Sequence, residues 1–499
     1  MIWEIELLYL VAMLATFVVL LLVAKTPSGI ALMASALVGL VLSAIFSDTE
    51  LSLRQLLEGG FGYFDTILVI VAAMIFIKGL EMSGALDYIS VSLVKIFRKF
   101  PTVLILAFML ILMLPGMITG SSLAAVISAG AIVAPIMKKM GLPKTKVAAI
   151  IAFGAILGMI APPINIPVMV ICDVVDIPYQ GFTEPLLVLT LPLAIFCAIF
   201  LSRTFKKGEG VENQNKLETV IILGALGLVV IVLGIITLAN YSNLLLAITI
   251  IALVLLIGVA IILIFGKAYC SEINIEELKE DKDIKFEVLE ELNITVLIPV
   301  LVLVLLFIGQ SLFPMVFGML GTPLLFIIAF AFTTFLGRKH NSITVFKEGV
   351  KASTSAMGLL IGVGMFVQVM TLSGARALFV FNVITIPSPW QYVAIALALP
   401  IFGGISAFGS ASILGGPFVM SLLAYNEIIV ASALSFFAAL GEFLPPTAMS
   451  ATFAGQKVAD EGEEVKALSV TKAAIVPLIV CLVYALVFII VLANKNIWG

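Results

Sequence analysis

The sequence predicts an all-α polytopic membrane protein of about twelve spans plus two re-entrant hairpins, arranged as inverted repeats. Three observations predict it. The 499 residues are 62% hydrophobic and 11% charged, with a mean hydropathy of +1.25, whereas soluble domains carry roughly 25% charged residues. Apolar runs of about twenty residues recur from end to end, each long enough to cross a hydrocarbon core of about 30 Å. Two stretches of that apolar sequence also hold Gly, Ser and paired Pro, which break helices and expose backbone polar groups to lipid.

The spans are expected near 3–24, 29–47, 64–85, 144–176, 184–203, 218–239, 243–266, 295–313, 315–337, 353–373, 428–456 and 470–493. The first run, Ile5 to Ala24, is long and lacks a basic start and a clear cleavage site, so a retained helix is expected rather than a signal peptide. Lys and Arg cluster at Lys95, Arg98 and Lys99, at Lys138, Lys139, Lys144 and Lys146, at Arg203, Lys206 and Lys207, and at Arg338 and Lys339. The positive-inside rule makes these cytoplasmic. The first two clusters flank the stretch 102–140, and one ordinary span cannot put both on the same side. A hairpin turning near Thr119 to Ser122 can; two tightly packed full spans are the alternative. A second stretch, 389–424, has the same Gly/Ser character and is expected to turn at Gly409–Ser412. Amphipathic segments at Leu51–Phe61, Leu86–Phe100 and Ser342–Lys351 read as interfacial arms or as ordinary connecting helices.

The two halves overlay. Glu58-Gly59 and Ser83-Gly84 match Glu348-Gly349 and Ser373-Gly374 at an offset of 290 residues. Pro135 pairs with Pro417 at 282, and Gly158, Pro162 and Pro163 pair with Gly441, Pro445 and Pro446 at 283. The domains expected are therefore 1–205, a first repeat with hairpin 102–140 and broken helix 144–176; 206–294, linker spans with a charged cytoplasmic loop; and 295–499, a second repeat with hairpin 389–424 and broken helix 428–456.

Paired breaks in two halves are the best sequence pointer to a binding site in a secondary transporter. Helix N-termini there offer N–H groups that suit a carboxylate, and C-termini with unwound carbonyls suit a small cation such as Na⁺. Thr119, Ser121, Asn165, Ser410 and Thr447 are the candidate substrate ligands. Gly120, Ser122, Pro162, Gly409, Ser412 and Pro445 are the candidate Na⁺ positions. For any one Ser, a hydroxyl bonded back to its own helix is the plainer reading; the paired placement is what argues for a site. Glu442 lies in apolar sequence three residues before Pro445, and intramembrane carboxylates are functional by default. It is a coupling candidate that could carry a proton, help bind a cation, or pair with Lys78. Lys78 and Glu81 could instead neutralise each other or snorkel.

Other chemistry is poorly served. Four cysteines without CxxC spacing and one loop histidine, His340, give no zinc site or disulfide framework. An intramembrane enzyme lacks its paired Asp or Ser/His couple, an ATP-driven pump lacks GxxxxGK[ST], and a net charge of −3 argues against nucleic acid. A channel would share the composition and differ only in function.

At Gly120-Ser-Ser-Leu-Ala-Ala-Val126, Pro135-Ile-Met-Lys-Lys-Met-Gly141 and Gly158-Met-Ile-Ala-Pro-Pro-Ile-Asn-Ile-Pro167 the chain resembles the large membrane subunit of TRAP-type (tripartite ATP-independent periplasmic) transporters, within the ion transporter superfamily. The resemblance is good over 60–205 and weaker over 340–495. It implies an elevator-type, Na⁺-coupled carrier of organic acids, C4-dicarboxylate-like, in a prokaryotic inner (cytoplasmic) membrane. It also implies a small membrane subunit and an extracytoplasmic binding protein as partners, and ion and substrate sites at 119–122, 409–412, 162–165 and 445–447. The chain departs from that pattern in having no fused small subunit, a longer middle and an acid at Glu442. The runner-up is therefore a stand-alone dicarboxylate or citrate carrier of the same superfamily, coupled to Na⁺ or H⁺. Oligomeric state is left open, a homodimer included.

Overall fold

The computed structural model describes residues 2–46, 52–205, 243–270, 287–313, 320–422 and 424–493, with a few isolated positions between them. Most of the expected span 218–239 and of the charged loop after Lys267 lies outside these residues.

Among the described residues the architecture is all helical apart from one two-stranded ribbon, in which Arg203–Thr204 pairs antiparallel with Lys267–Ala268. In chain order the first half holds α1 (Ile2–Leu22), α2 (Ser28–Phe46), α3 (Leu53–Phe61), α4 (Phe64–Ser83), α5 (Ala85–Phe97), α6 (Pro101–Thr119), α7 (Ser122–Lys139), α8 (Lys144–Ile160), α9 (Ile166–Val175) and α10 (Thr183–Leu201). After α11 (Asn243–Phe265), α12 (Ile298–Leu312) and α13 (Gly321–Phe335) come α14 (Ser342–Leu372), α15 (Ala375–Ile384), α16 (Ser388–Gly403), α17 (Ala407–Ser421), α18 (Glu427–Leu440), α19 (Met449–Val458) and α20 (Ala467–Leu492). Eight of the described helices are long and apolar enough to cross a membrane. Six of these fall on expected spans and two, α6 and α7, are the arms of the expected hairpin 102–140; the other expected spans fall on shorter apolar helices, on helices split in two, or outside the described residues.

Local chemistry explains the boundaries. Gly84 ends α4 in the left-handed conformation at φ +83°, and Gly374 does the same after α14 at φ +78°, a backbone state that costs glycine nothing. Asn165, Asn341 and Asn426 cap α9, α14 and α18, each side-chain oxygen accepting an amide of the first turn. The expected arm at Ser342–Lys351 and span at 353–373 are one helix, α14, with no break between them. At 31 residues it runs about 47 Å, so it reaches well beyond the hydrocarbon core. In the first half the corresponding stretch is broken at Gly62 and Tyr63 into α3 and α4.

Packing sorts the helices into two groups. In one, α14 packs on α2, α3 and α4, with α13 against α4 and α1 against α2. In the other, α8 and α18 form the core. Every residue of α8 from Val147 to Ile160 is buried, as is every residue of α18 from Ile429 to Leu440. Around them pack α6, α10, α19 and α20 on α8, and α9, α16 and α20 on α18. Small residues on α8 (Ala148, Ala149, Ala152, Gly154, Ala155) let neighbouring backbones approach, which is how helices pack where lipid removes the hydrophobic drive.

Candidate functional site

The 102–140 stretch is two helices, α6 and α7, that turn at Gly120 and Ser121. Gly120 adopts φ +63°, and a Cβ there would lie 2.5 Å from Ile166. Ser121 caps α7 by accepting the Ala124 amide at 3.4 Å, and Thr119 Oγ1 donates to the Pro115 carbonyl at 2.7 Å. One turn into α7 the helix widens into a π-turn over Val126–Gly130, a distortion that recurs at functional sites.

The second half repeats this construction at an offset of 285. Pro400 stands in α16 as Pro115 does in α6. Ser406 caps α17 by accepting the Gly409 amide at 3.1 Å, and a π-turn follows over Ala411–Gly415. The second turn is therefore at Gly404 to Ser406, not at Gly409–Ser412 as expected. Those residues sit inside α17, where Ser410 donates to the Leu399 carbonyl of α16 at 2.8 Å and so ties the two arms together. The expected match of Pro135 to Pro417 also gives way, since the π-turns align at 285 and not 282. Ser412 Oγ is buried beside Tyr63 and makes no hydrogen bond of normal geometry.

The two broken helices do match at 283. α8 ends at Ile160 and α9 starts at Ile166; α18 with its 3₁₀ turn ends at Phe443 and α19 starts at Met449. Both Pro pairs, Pro162–Pro163 and Pro445–Pro446, carry a cis bond. Each break is crossed at backbone distance by the helix before its turn. A Cβ on Gly158 would lie 2.4 Å from the Met113 carbonyl, and one on Gly441 would lie 2.3 Å from the Gly403 backbone. Only hydrogen fits at either crossing.

Polar groups tie the breaks down. Asn165 accepts the Val168 amide at 3.0 Å and donates to the Ile160 carbonyl at 2.9 Å and to Ser435 at 3.3 Å. Its own amide reaches the Tyr179 hydroxyl, which in turn donates to the Pro163 carbonyl, both at 3.1 Å. Asn165 thus splints its break with every polar atom it has. Thr447 does the equivalent across the second break, where its hydroxyl and amide both donate to the Gly404 carbonyl, at 2.7 and 3.1 Å. Pro162 is buried, whereas Pro445 is exposed.

Glu442 joins the halves. Its carboxylate, 4% exposed, accepts the Ser122 hydroxyl at 2.6 Å and, closer still, the hydroxyl of Ser450 in the first turn of α19. It does not pair with Lys78, which bonds Glu81 at 2.7 Å. Buried charge is costly unless paired or hydrogen-bonded, and here two hydroxyls from opposite halves answer one carboxylate oxygen. Ser450 and Ser406 were not singled out in the sequence. Ser406 is recognisable in retrospect as the 285-residue counterpart of Ser121, whereas nothing local marks Ser450.

Ser121, Ser122, Ser128, Glu442, Met449 and Phe408 form one wall of a cavity of about 160 Å³. The cavity is also lined by α4, through Met74, Ile77, Lys78 and Glu81, and by α14, through Ala352, Ser355, Ala356 and Leu359. The cavity thus lies at the junction of the two helix groups. Among the described residues no cluster of three or more His, Cys, Asp or Glu could hold a metal ion, so any cation here would be held by hydroxyl, carboxylate and carbonyl oxygens.

Residues 14–259, about half of the chain, match the family model described as tripartite ATP-independent periplasmic transporter, DctM component. Over that stretch the chain is similar to the DctM family. No individual curated protein matches the chain. The DctM stretch contains α2 to α10, and so the first turn and first break in full. The second turn, the second break and Glu442 lie beyond it and are tied to it by the structural repeat.

On the outer edge of the second group, Lys138 and Lys144 bond Asp460 at 2.7 and 2.5 Å, and Lys144 also bonds Glu463. Hydrogen bonds from Lys138 and then Lys144 pull the Asp460 carboxyl down to about 2. This clips the loop after α19 to the end of α7.

Proposed function

We propose that the chain is the large permease of a TRAP-type secondary transporter that takes up organic acid anions, C4-dicarboxylate-like, coupled to Na⁺. The observation that carries this reading is the meeting of a turn and a break from opposite repeats at Ser122 and Glu442, beside a cavity between two helix groups.

In this reading the pairs α6/α7 and α16/α17 are re-entrant hairpins, entering and leaving by one membrane face each. The basic residues at 95–99 and at 138–146 flank α6/α7 and favour the same side for both ends. The repeats are then inverted, and the group built on α8 and α18 moves as one body past the group built on α14, an elevator. Na⁺ binds among hydroxyl and carbonyl oxygens at the turns and breaks, with Gly120, Ser122 and Glu442 on the first side and Ser412 and Pro445 toward the second, while Thr119 and Ser121 face the substrate. Asn165 and Thr447 act first as splints that hold the backbone carbonyls in place. A small membrane subunit and an extracytoplasmic binding protein complete the system, as TRAP systems have them.

The test is uptake into proteoliposomes across a panel of organic acids, with and without a Na⁺ gradient, and with a pH gradient alone. Saturable, Na⁺-dependent uptake with counterflow is expected. Accumulation driven by a pH gradient with no Na⁺ present would overturn Na⁺ coupling, and non-saturating flux would overturn the carrier reading.

A further inference from the structure

The cavity contains charge that neither turn nor break supplies. Lys78 and Glu81 lie one turn apart on α4, their side chains 23% and 35% exposed, and pair at 2.7 Å. With Glu442 they are the charged residues of the cavity lining. The hydroxyls of Ser28, Ser121, Ser122, Ser128 and Ser355 line it too, but a hydroxyl carries no charge to answer an anion. Desolvating a carboxylate is costly unless a cation is brought to it, and Lys78 is the cationic group of the described lining.

The geometry points to Lys78 as the residue through which the α4 wall recognises a carboxylate of the transported anion, with Glu81 holding the ammonium until that carboxylate replaces it. This rests on the organic-anion reading above. Met74, Ile77, Lys78 and Glu81 fall at i, i+3, i+4 and i+7, so one face of α4 lines the same cavity as Ser121, Ser122 and Ser128. An i,i+3 pair that is partly open to solvent is weakly held, so exchange of partners is cheap. Lys78 presents three donors and spends one on Glu81.

Charge balance adds a consequence. With both carboxylates ionised the cavity carries one ammonium against two carboxylates, so an anion enters more readily when a cation enters with it. Size narrows the ligand. A cavity of about 150 Å³ holds benzene, so about 160 Å³ has room for a carboxylate-bearing group of about six non-hydrogen atoms.

The experiment compares Lys78→Met, Lys78→Arg and Glu81→Gln in proteoliposome uptake of the acid that the unaltered protein transports. Thermal unfolding of each purified variant, with and without that acid, is measured alongside. Lys78→Met should raise KM about tenfold or more and lose the acid-dependent stabilisation, while Lys78→Arg stays much closer to the unaltered protein. Glu81→Gln releases the ammonium and should lower KM. A pair that is merely structural predicts the reverse pattern, with Lys78→Met and Glu81→Gln damaged alike in yield and unfolding temperature and unchanged in KM. Where Lys78→Met yields no protein, the direction of the KM change in Glu81→Gln decides. If the unaltered protein takes up organic acids and neither KM moves, the lysine assignment alone falls. If it takes up none, the organic-anion reading falls and this assignment with it.

Discussion

Ser122→Ala removes one of the two hydroxyls that hold Glu442 and leaves Ser450 as the remaining donor. The lost bond joins the first turn to the second break, 320 residues away in sequence, with an Oγ–Oε2 distance of 2.6 Å. Hydrogen bonds to a charged acceptor contribute about 1.5–3 kcal/mol. That corresponds to a factor of about 10 to 150 in any equilibrium that needs the turn and the break together. If cation binding is such an equilibrium, the Na⁺ concentration for half-maximal uptake should rise about tenfold or more. Thermal unfolding of the detergent-solubilised variant measures how much of the loss is structural. Glu442→Gln keeps an acceptor oxygen but no charge, so it should cost a similar amount. The double variant should cost less than the sum of the two single losses, because both act on the Ser122–Glu442 bond. Unchanged Na⁺ activation in Ser122→Ala, or fully additive losses in the pair, would refute the idea that this bond belongs to the coupling site.

Gly441→Ala sets a Cβ 2.3 Å from the Gly403 backbone and 2.4 Å from the Pro400 carbonyl. No side chain can rotate away there, so a loss of about 1–3 kcal/mol or more should appear as a lowered unfolding temperature and yield; wild-type stability would contradict the close crossing. Cysteines placed at Lys95 and Lys139 should react with an impermeant thiol reagent from the same side of the membrane, and labelling from opposite sides would make α6 and α7 two conventional spans. The clip on Asp460 should hold at neutral pH. Its carboxyl lies at about 2, below the usual value of about 3.9, so its contribution is present above that usual value and is lost as pH falls through about 2. Protease cleavage in the 459–466 loop should accordingly be flat from about pH 7 to 5, rising in Asp460→Asn at any of those pH values; equal cleavage of both proteins would remove the clip.

The sequence by itself determined the class and about half of the expected spans, because helix length and lipid exposure depend on runs of apolar residues that can be read locally. It also determined both breaks. Pro162–Pro163 and Pro445–Pro446 lack the donors a helix needs, and Gly158 and Gly441 recur beside them at the same offset. The tertiary structure decided the rest. Gly409, Ser410 and Ser412 look like a turn in sequence, but Ser410 finds the Leu399 carbonyl only once α16 lies beside α17, and Ser406 takes the cap instead. The charged residues of Ser342–Lys351 suggest a separate arm, yet the packing of α14 along α2, α3 and α4 carries one helix straight through. Glu442 stood out as an expensive residue, but its partners are 320 residues back and eight residues ahead across a Pro pair. A carboxylate's cost is local and legible; the hydroxyls that meet it are brought by the fold.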